Sequence, residues 1–560
     1  MTIHETTRET TVPPAPVPEA PSAEAADTLV AGLLDEPWGQ VTTSVYETGR
    51  VTALAPWLTG HAVRLRHLLA AQRPDGGWGD HGEYEYRLVP TLSATDALLA
   101  AAGLPAGEGP GGPAAGNGAG AGGAAEGMPE RRVLRQAAER GLGWLRHHLA
   151  EVAALPDTPA VELIVLSLVE RVNERLAGDG AGEPLPLPRG LDPGLLRMLR
   201  ELAAGGTSLP QKLQHALEVL GPVARDVAGV RPLGPGTVGA SPAATAAWLA
   251  HADGTAADRD RARRHLAEVA GRFGGPVPVG LPITVFERGW VVSMLARAGI
   301  AVTAPEPLVE SLAAAAEPGG TPAGPGLPAD ADTTSVALYA LSLLGRPYPP
   351  DSLDAYRTST HFCTWQGEQG FSVTVNAHVL DAYGCYAARR PDAAPRYAAT
   401  IERLSELLCD RQEADGSWRD RWHTSPYYAT ACCALALHEY GAGGGRTGDR
   451  VTEAVRRAVG WVLGSQREDG SWGRWGGTAE ETAYALQILL LTRSRHAAGP
   501  EADRARAAVA RGHAFLAGAG DGAADPPLWI DKDLYRPVAV VRAAVLSALH
   551  LAAGNGARDK

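Results

Sequence analysis

The sequence predicts an all-α protein whose helices stack or close into an array, and three observations carry that reading. Apolar residues recur at helical spacing over much of the chain. No convincing series of alternating strand segments interrupts them. A seven-residue motif, Gln-x-x-Asp-Gly-x-Trp, occurs three times, at residues 72–78, 412–418 and 466–472.

Taken in order, helical apolar spacing runs over residues 62–69, 133–152, 161–176, 336–344, 377–383, 431–437 and 484–491. Pro and Gly clusters punctuate these segments, as short helix–helix connections require. In each seven-residue motif the Gln closes a helix and Asp-Gly supplies a turn. The Trp then folds back against a neighbouring helix as a structural staple. The last two copies lie 54 residues apart, near the length of two helix pairs. A repeated helix–turn unit buries little until its neighbours close around it, so the repeats imply a continuous array.

At 560 residues the chain is expected to hold two or three domains. Residues 1–27 are rich in Thr, Pro, Glu and Ala, lack an apolar core and read as a disordered tail. Residues 105–127 are almost entirely Gly, Ala and Pro and read as a disordered loop, with shorter loops at 318–328 and 441–448. No apolar run approaches the roughly 20 residues a membrane span needs. The net charge of −12 gives no reason to expect nucleic-acid binding. Five cysteines without Cys-x-x-Cys spacing argue against a disulfide framework or a zinc ribbon. A soluble chain in the reducing cytoplasm is the expectation.

The segment Asp330-Ala331-Asp332-Thr333-Thr334 precedes the helix at 336–344. Asp and Thr favour helix N-caps, and a carboxylate there suits the helix dipole. The same residues also suit a general acid. Two carboxyl groups this close do not both ionise cheaply, so one retains its proton while the other orients it. Both readings stay open on these residues alone.

Together with the Gln/Trp repeats, the acidic motif resembles that of the class II terpene cyclases, including the related squalene–hopene cyclases. These carry Asp-x-Asp-Asp on paired α/α-barrels. The Asp-x-Asp-Thr-Thr form found here is similar to that of bacterial cyclases acting on prenyl diphosphates. The resemblance is strong from about residue 274 to 553 and extends through residues 371–378, 422–430, 470–475, 480–484 and 534–544. It is weaker over 44–273. It implies two α/α-barrels, the acid-bearing one built from residues 28–59 plus 274–560 and the other inserted at 60–273. It also implies that Asp332 protonates an alkene, with Asp330 as its neighbour and Asn376 hydrogen-bonded to the acid. Asn376 shares a helical stripe with Leu380 and Tyr383, which independently marks it as a buried amide in need of partners.

Protonating an alkene creates a tertiary carbocation, which needs a dry, aromatic pocket. Trp290, Trp365, Trp422, Tyr427, Tyr428 and Tyr535 are the candidates outside the repeats. A diphosphate substrate needs charge neutralisation by Mg²⁺ and basic side chains. The resemblance places an acidic patch on the inserted barrel, where Asp157 and Glu162 are the candidates for metal. Lys532, one of only three lysines, is a candidate diphosphate contact. The sequence lacks the Asp-Asp-x-x-Asp and Asn-Asp-x-x-Ser-x-x-x-Glu patterns that ionise diphosphate in class I terpene synthases, so the diphosphate is expected to survive. The implied reaction is cyclisation of geranylgeranyl diphosphate to a labdane- or halimane-type diphosphate. Farnesyl diphosphate, giving a drimane-type product, is the close alternative. A squalene-type cyclase and a non-catalytic α/α-toroid binding protein are more distant ones. A downstream diphosphatase or class I synthase would consume the product.

Overall fold

The computed structural model describes residues 23–36, 38–80, 83–103, 127–179, 182–492, 499–520 and 522–558. The expected disordered loop lies outside these residues except for Gly127, and the expected tail lies outside them up to residue 22. Residues 23–27 depart from that expectation. They open helix α1 (Ala23–Asp35), which buries Ala26, Leu29, Val30 and Leu33.

Two rings of helices follow. In the first, α2 (Val45–Leu54), α4 (Leu88–Ala101), α6 (Val161–Asp179), the kinked 3₁₀ segment Gln211–Asp226 and α8 (Pro242–His251) pack in sequence, and α8 returns to α2. An outer layer of α3 (His61–Ala70), α5 (Arg131–Glu151), α7 (Gly194–Ala204) and α9 (Ala256–Arg272) covers them. In the second ring, the inner helices are α10 (Thr284–Arg297), α12 (Ala331–Leu343), α13 (Val373–Arg389), α15 (Pro426–Tyr440), α17 (Ala479–Leu491) and α19 (Val538–Arg558), and α19 closes on α10. The outer helices are α1, α11 (Glu306–Ala313), α14 (Ala394–Asp410), α16 (Gly445–Gly464) and α18 (Pro500–Ala519). The architecture is therefore all-α, two α/α-barrels. Among the described residues the only strands are β1 (Trp529–Ile530) and β2 (Leu534–Tyr535), a short antiparallel hairpin.

The inner helices show no single apolar stripe because all their faces are covered. In α15, for example, every residue from Pro426 to Leu437 is buried. The chain drawn from the sequence as the N-terminal piece of the acid-bearing barrel divides between the rings. Helix α1 packs on α10 and α19, whereas α2 packs on α4 and α8. Its small residues, Gly49 among them, let it approach α4 closely; a Cβ on Gly49 would stand 2.5 Å from Ser93 Oγ.

The three Gln/Trp motifs are one construction used three times. Gln72, Gln412 and Gln466 each donate from Nε2 to the motif glycine carbonyl at 2.8–2.9 Å. The same nitrogens donate to a carbonyl of the next outer helix, Ala137, Ala454 or Ala508. Trp78, Trp418 and Trp472 are fully buried. Their indoles donate back to Leu68, Leu408 and Val462. The motif glycine holds φ near +90° against a facing Arg carbonyl: at Gly416 φ is +98°, and a Cβ would lie 2.6 Å from Arg457 O. Only glycine fits that turn. Each motif thus pins an outer helix, the following inner helix and the next outer helix together.

Candidate active site

A cavity of about 350 Å³ lies where the two rings meet. The first ring contributes Thr158, Pro159, Ala160, Lys212, His215 and Ala216. The second contributes Asp330, Asp332 and Thr333, together with Phe286, Trp365, Trp422, Tyr428, Trp529 and Tyr535.

Helix α12 begins at Ala331, five residues before the apolar pattern starts, because Asp330 caps it. Its carboxylate accepts from the Thr333 N–H at 2.6 Å. The capping reading is thus correct for Asp330, and it turns Asp332, in the first helical turn, toward the cavity. Asp330 is 7 % exposed. Burial pushes its pKa up to about 7, with the Asp332 charge adding to the rise and the Thr333 hydrogen bond opposing it.

The partner of Asp332 is His378, whose Nδ1–H donates to Oδ1 at 2.7 Å. Burial disfavours the imidazolium. The Asp332 carboxylate overrides it and lifts the His378 pKa well above the ordinary histidine range. The sequence reading passed over His378, although it ends the quoted segment 371–378. A histidine inside an otherwise apolar helix with no exposed face was the available signal.

Asn376 does not reach either aspartate. Its Oδ1 accepts from the Phe362 N–H at 2.9 Å, and its Nδ2 donates to the Phe362 and Ser372 carbonyls at 3.0 and 2.8 Å. These bonds satisfy the amide and fix the loop at Phe362. Two residues on, the Thr364 carbonyl accepts from the Ala331 N–H at 2.9 Å. Asn376 therefore steadies the acidic motif at one remove.

Of the aromatic candidates, Trp365, Trp422, Tyr428 and Tyr535 line the cavity, and Trp365 meets Trp422 edge to face at 5.5 Å. Trp290 does not line it. Its indole donates to the Tyr428 hydroxyl at 2.9 Å, and its ring stands edge-on to His378 at 5.3 Å, so it supports Tyr428 and the histidine that holds Asp332. Tyr427, adjacent to Tyr428 on α15, points the other way and packs on Trp461 of α16 at 4.6 Å. Phe286 and Trp529 line the cavity but were missed, since nothing in their local sequence separates them from core aromatics.

Asp157 and Glu162 border a second recess of about 630 Å³, shared with Arg189 and Arg421. Arg421 also borders the main cavity and donates to Asp157 at 2.7 Å. Lys212 borders the main cavity, where it pairs with Glu368 and lies 5.7 Å from the Trp365 ring. Among the described residues no three His, Cys, Asp or Glu side chains converge as a metal site.

Lys532 is not a diphosphate contact. It is fully buried, with Nζ 2.6 Å from Glu47 Oε1 and 2.8 Å from Glu218 Oε1. It also donates to the His215 carbonyl and Ser241 Oγ, each at 2.8 Å. These partners use all of an ammonium's donors and leave none for phosphate. Burial disfavours the ammonium, but Glu218 and Glu47 hold its pKa above the ordinary lysine value. Lys532→Met would leave Glu47 and Glu218 without a countercharge, at a cost of about 3–5 kcal/mol. Chemical denaturation followed by tryptophan fluorescence checks this. A raised KM for a diphosphate substrate with unchanged stability is the contrary result.

Comparison with known proteins agrees with this geometry. Residues 370–514 match the squalene-hopene cyclase C-terminal domain. The ent-copalyl diphosphate synthase of Streptomyces sp. (strain KO-3988) is 42 % identical over 94 % of this chain and 95 % of its own. The labda-7,13-dienyl diphosphate synthase of Streptomyces clavuligerus is 44 % identical over 96 % of this chain and 94 % of its own. The solved structure of ent-copalyl diphosphate synthase from Streptomyces platensis superposes with a TM-score of 0.84 at 42 % identity, covering 95 % of this chain and 99 % of that one. With relatives at this identity along nearly its whole length, the chain belongs to the class II terpene cyclases, isomerases of the bacterial prenyl diphosphate type related to the squalene–hopene cyclases.

Proposed function

We propose that the protein cyclises geranylgeranyl diphosphate to a bicyclic labdane- or halimane-type diphosphate, with Asp332 as the acid and the diphosphate retained. The observation that carries this reading is Asp332 itself. One carboxyl oxygen is held by His378, while the residue borders an aromatic cavity at the junction of the rings. The His378 hydrogen bond holds that oxygen in place and leaves the other to carry the proton to the alkene. The π electrons of the distal alkene take that proton, and those of the inner alkenes close the rings in turn. Trp365, Trp422 and Tyr535 offer their faces to the moving cation. Asp330 keeps a second negative charge away from the acid as long as it stays neutral.

The C20 substrate is favoured over farnesyl diphosphate because the relatives that match almost end to end bear copalyl and labdadienyl names. Arg421 and Lys212, which border the cavity, would receive the diphosphate. Asp157 and Glu162 would hold Mg²⁺ beside it. Both border one recess, and carboxylate and phosphate oxygens are the donors that ion prefers. The metal would supply charge neutralisation. Among the described residues no helix is long and apolar enough to cross a membrane, which fits a cytoplasmic enzyme. Because the chemistry leaves the diphosphate in place, a diphosphatase or class I synthase would act next.

Incubation with C15 and C20 prenyl diphosphates, phosphatase treatment and gas chromatography–mass spectrometry tests the proposal. A cyclic C20 alcohol from the wild type, absent with Asp332→Ala, is expected. Linear alcohols from both substrates, or stoichiometric pyrophosphate, would contradict it. Across pH, kcat is expected to fall as Asp330 ionises near pH 7, because a new anion beside Asp332 makes it a weaker donor. Asp330→Asn should flatten that limb of the profile. EDTA, and separately Asp157→Asn, should raise KM more than they lower kcat. An unchanged KM under both would remove the metal from the account.

A further inference from the structure

A cation formed inside this cavity must lose a proton to yield an alkene, and a second buried acid–base pair borders the same space. His215 comes from the first ring and Asp531 from the β1–β2 hairpin, so the pair spans the junction. We propose that Asp531, held by His215, is the base that ends the cyclisation, accepting the proton on its Oδ2 oxygen. The proposal rests on the reading that the chain cyclises a prenyl diphosphate.

Hydrogen-bond chemistry fixes the protonation of the pair. His215 Nδ1 lies 2.6 Å from the Gly239 carbonyl, which can only accept, so Nδ1 carries a hydrogen. Nε2 lies 2.7 Å from Asp531 Oδ1. That nitrogen carries the second hydrogen if the carboxylate is ionised. The shifts agree: burial opposes ionisation of both groups, yet each raises the charged form of the other. His215 lies above its ordinary value and Asp531 below. Both directions favour the imidazolium–carboxylate form of the pair.

Oδ1 of Asp531 is fully engaged, since it also accepts from the Lys532 N–H at 2.6 Å. Oδ2 has no hydrogen-bond donor among the described residues. It lies 2.7 Å from where a Cβ on residue 280 would stand, and residue 280 is a glycine that itself borders the cavity. Any side chain there would cover the oxygen. Outside the acidic motif, the other carboxylate on the cavity wall is Glu368. Glu368 is paired with Lys212, and the Tyr428 hydroxyl accepts from the Trp290 indole. Asp330 and Asp332 form the acid end.

A weak base suffices, because a tertiary carbocation is a far stronger acid than any carboxylic acid. The C–H bond beside the cationic carbon breaks, its electron pair becomes the new π bond, and the proton moves to Oδ2. Asp531 then passes the proton to water and Asp332 regains one from solvent, so the overall change is isomerisation without oxidant or co-reactant.

The test is the product profile of Asp531→Asn with geranylgeranyl diphosphate, alongside the wild type and a melting curve. In the variant, alkene isomers or water-quenched hydroxylated diphosphates should rise to about half or more of the cyclised material, while substrate consumption falls no more than about tenfold. Asp531→Glu, which restores a carboxylate, should recover much of the wild-type alkene. A folded Asp531→Asn that gives the wild-type alkene in unchanged proportion overturns the proposal. So does one that gives no cyclised product, because this base acts after ring closure. If Asp531→Asn does not fold, the same two readings are taken from Gly280→Ala, which sets a methyl group against Oδ2 while keeping both residues of the pair. A wild type that makes no cyclic product would instead refute the substrate reading.

Discussion

Three consecutive residues at the tip of the β1–β2 hairpin, Asp531, Lys532 and Asp533, join the two rings, and the geometry of the cavity depends on them. Asp531 pairs with His215, and Lys532 is enclosed by Glu47, Glu218 and Ser241. Asp533 accepts from the Ser44 hydroxyl and the Tyr46 N–H at the start of α2. Together the tip residues grip the start of α2, the 3₁₀ segment Gln211–Asp226 and Ser241 ahead of α8. The strands on either side carry Trp529, Ile530 and Tyr535 into the cavity wall. A fully buried lysine is tolerated only because two carboxylates and two further oxygens meet it. Once they do, the hairpin has one seat, and the distance between the rings is set.

That seat explains how an enzyme built from two self-contained rings can hold a reactive cation. Each ring closes on itself through its own helices and its Gln/Trp staples, so the junction carries the polar chemistry. Asp332 enters from the N-terminal end of α12, and His215 and Lys212 enter from the first ring. The acid and its histidine belong to one ring, whereas the paired base site bridges both. A change in ring spacing would therefore disturb termination of the cascade before it disturbed initiation.

Much of the fold was legible in the sequence, and the reasons are local. Helical spacing and the three Gln/Trp motifs mark elements that any ring must contain, and the motif chemistry repeats bond for bond. The acidic motif was also legible, since Asp330 and Asp332 sit where a helix must start. What failed depended on contacts distant in sequence. Asn376 was correctly read as a buried amide, but its partners are the backbone of Phe362 and Ser372, which no helical stripe reveals. Lys532 stood out as a rare lysine. Its partners, Glu47 and Glu218, lie more than 300 residues away. Tyr427 and Tyr428 are neighbours on a helix buried on all sides, where periodicity cannot tell the cavity from the outer shell.

The central claim is that catalysis begins with proton transfer to an alkene and leaves the diphosphate untouched. Reaction of geranylgeranyl diphosphate in D₂O, with the intact diphosphate product analysed by mass spectrometry and NMR, tests it most directly. A cyclic diphosphate carrying one deuterium is expected, on the ring methylene that was the CH carbon of the distal alkene, with no pyrophosphate released. A cyclic hydrocarbon free of deuterium, formed together with pyrophosphate, would contradict it.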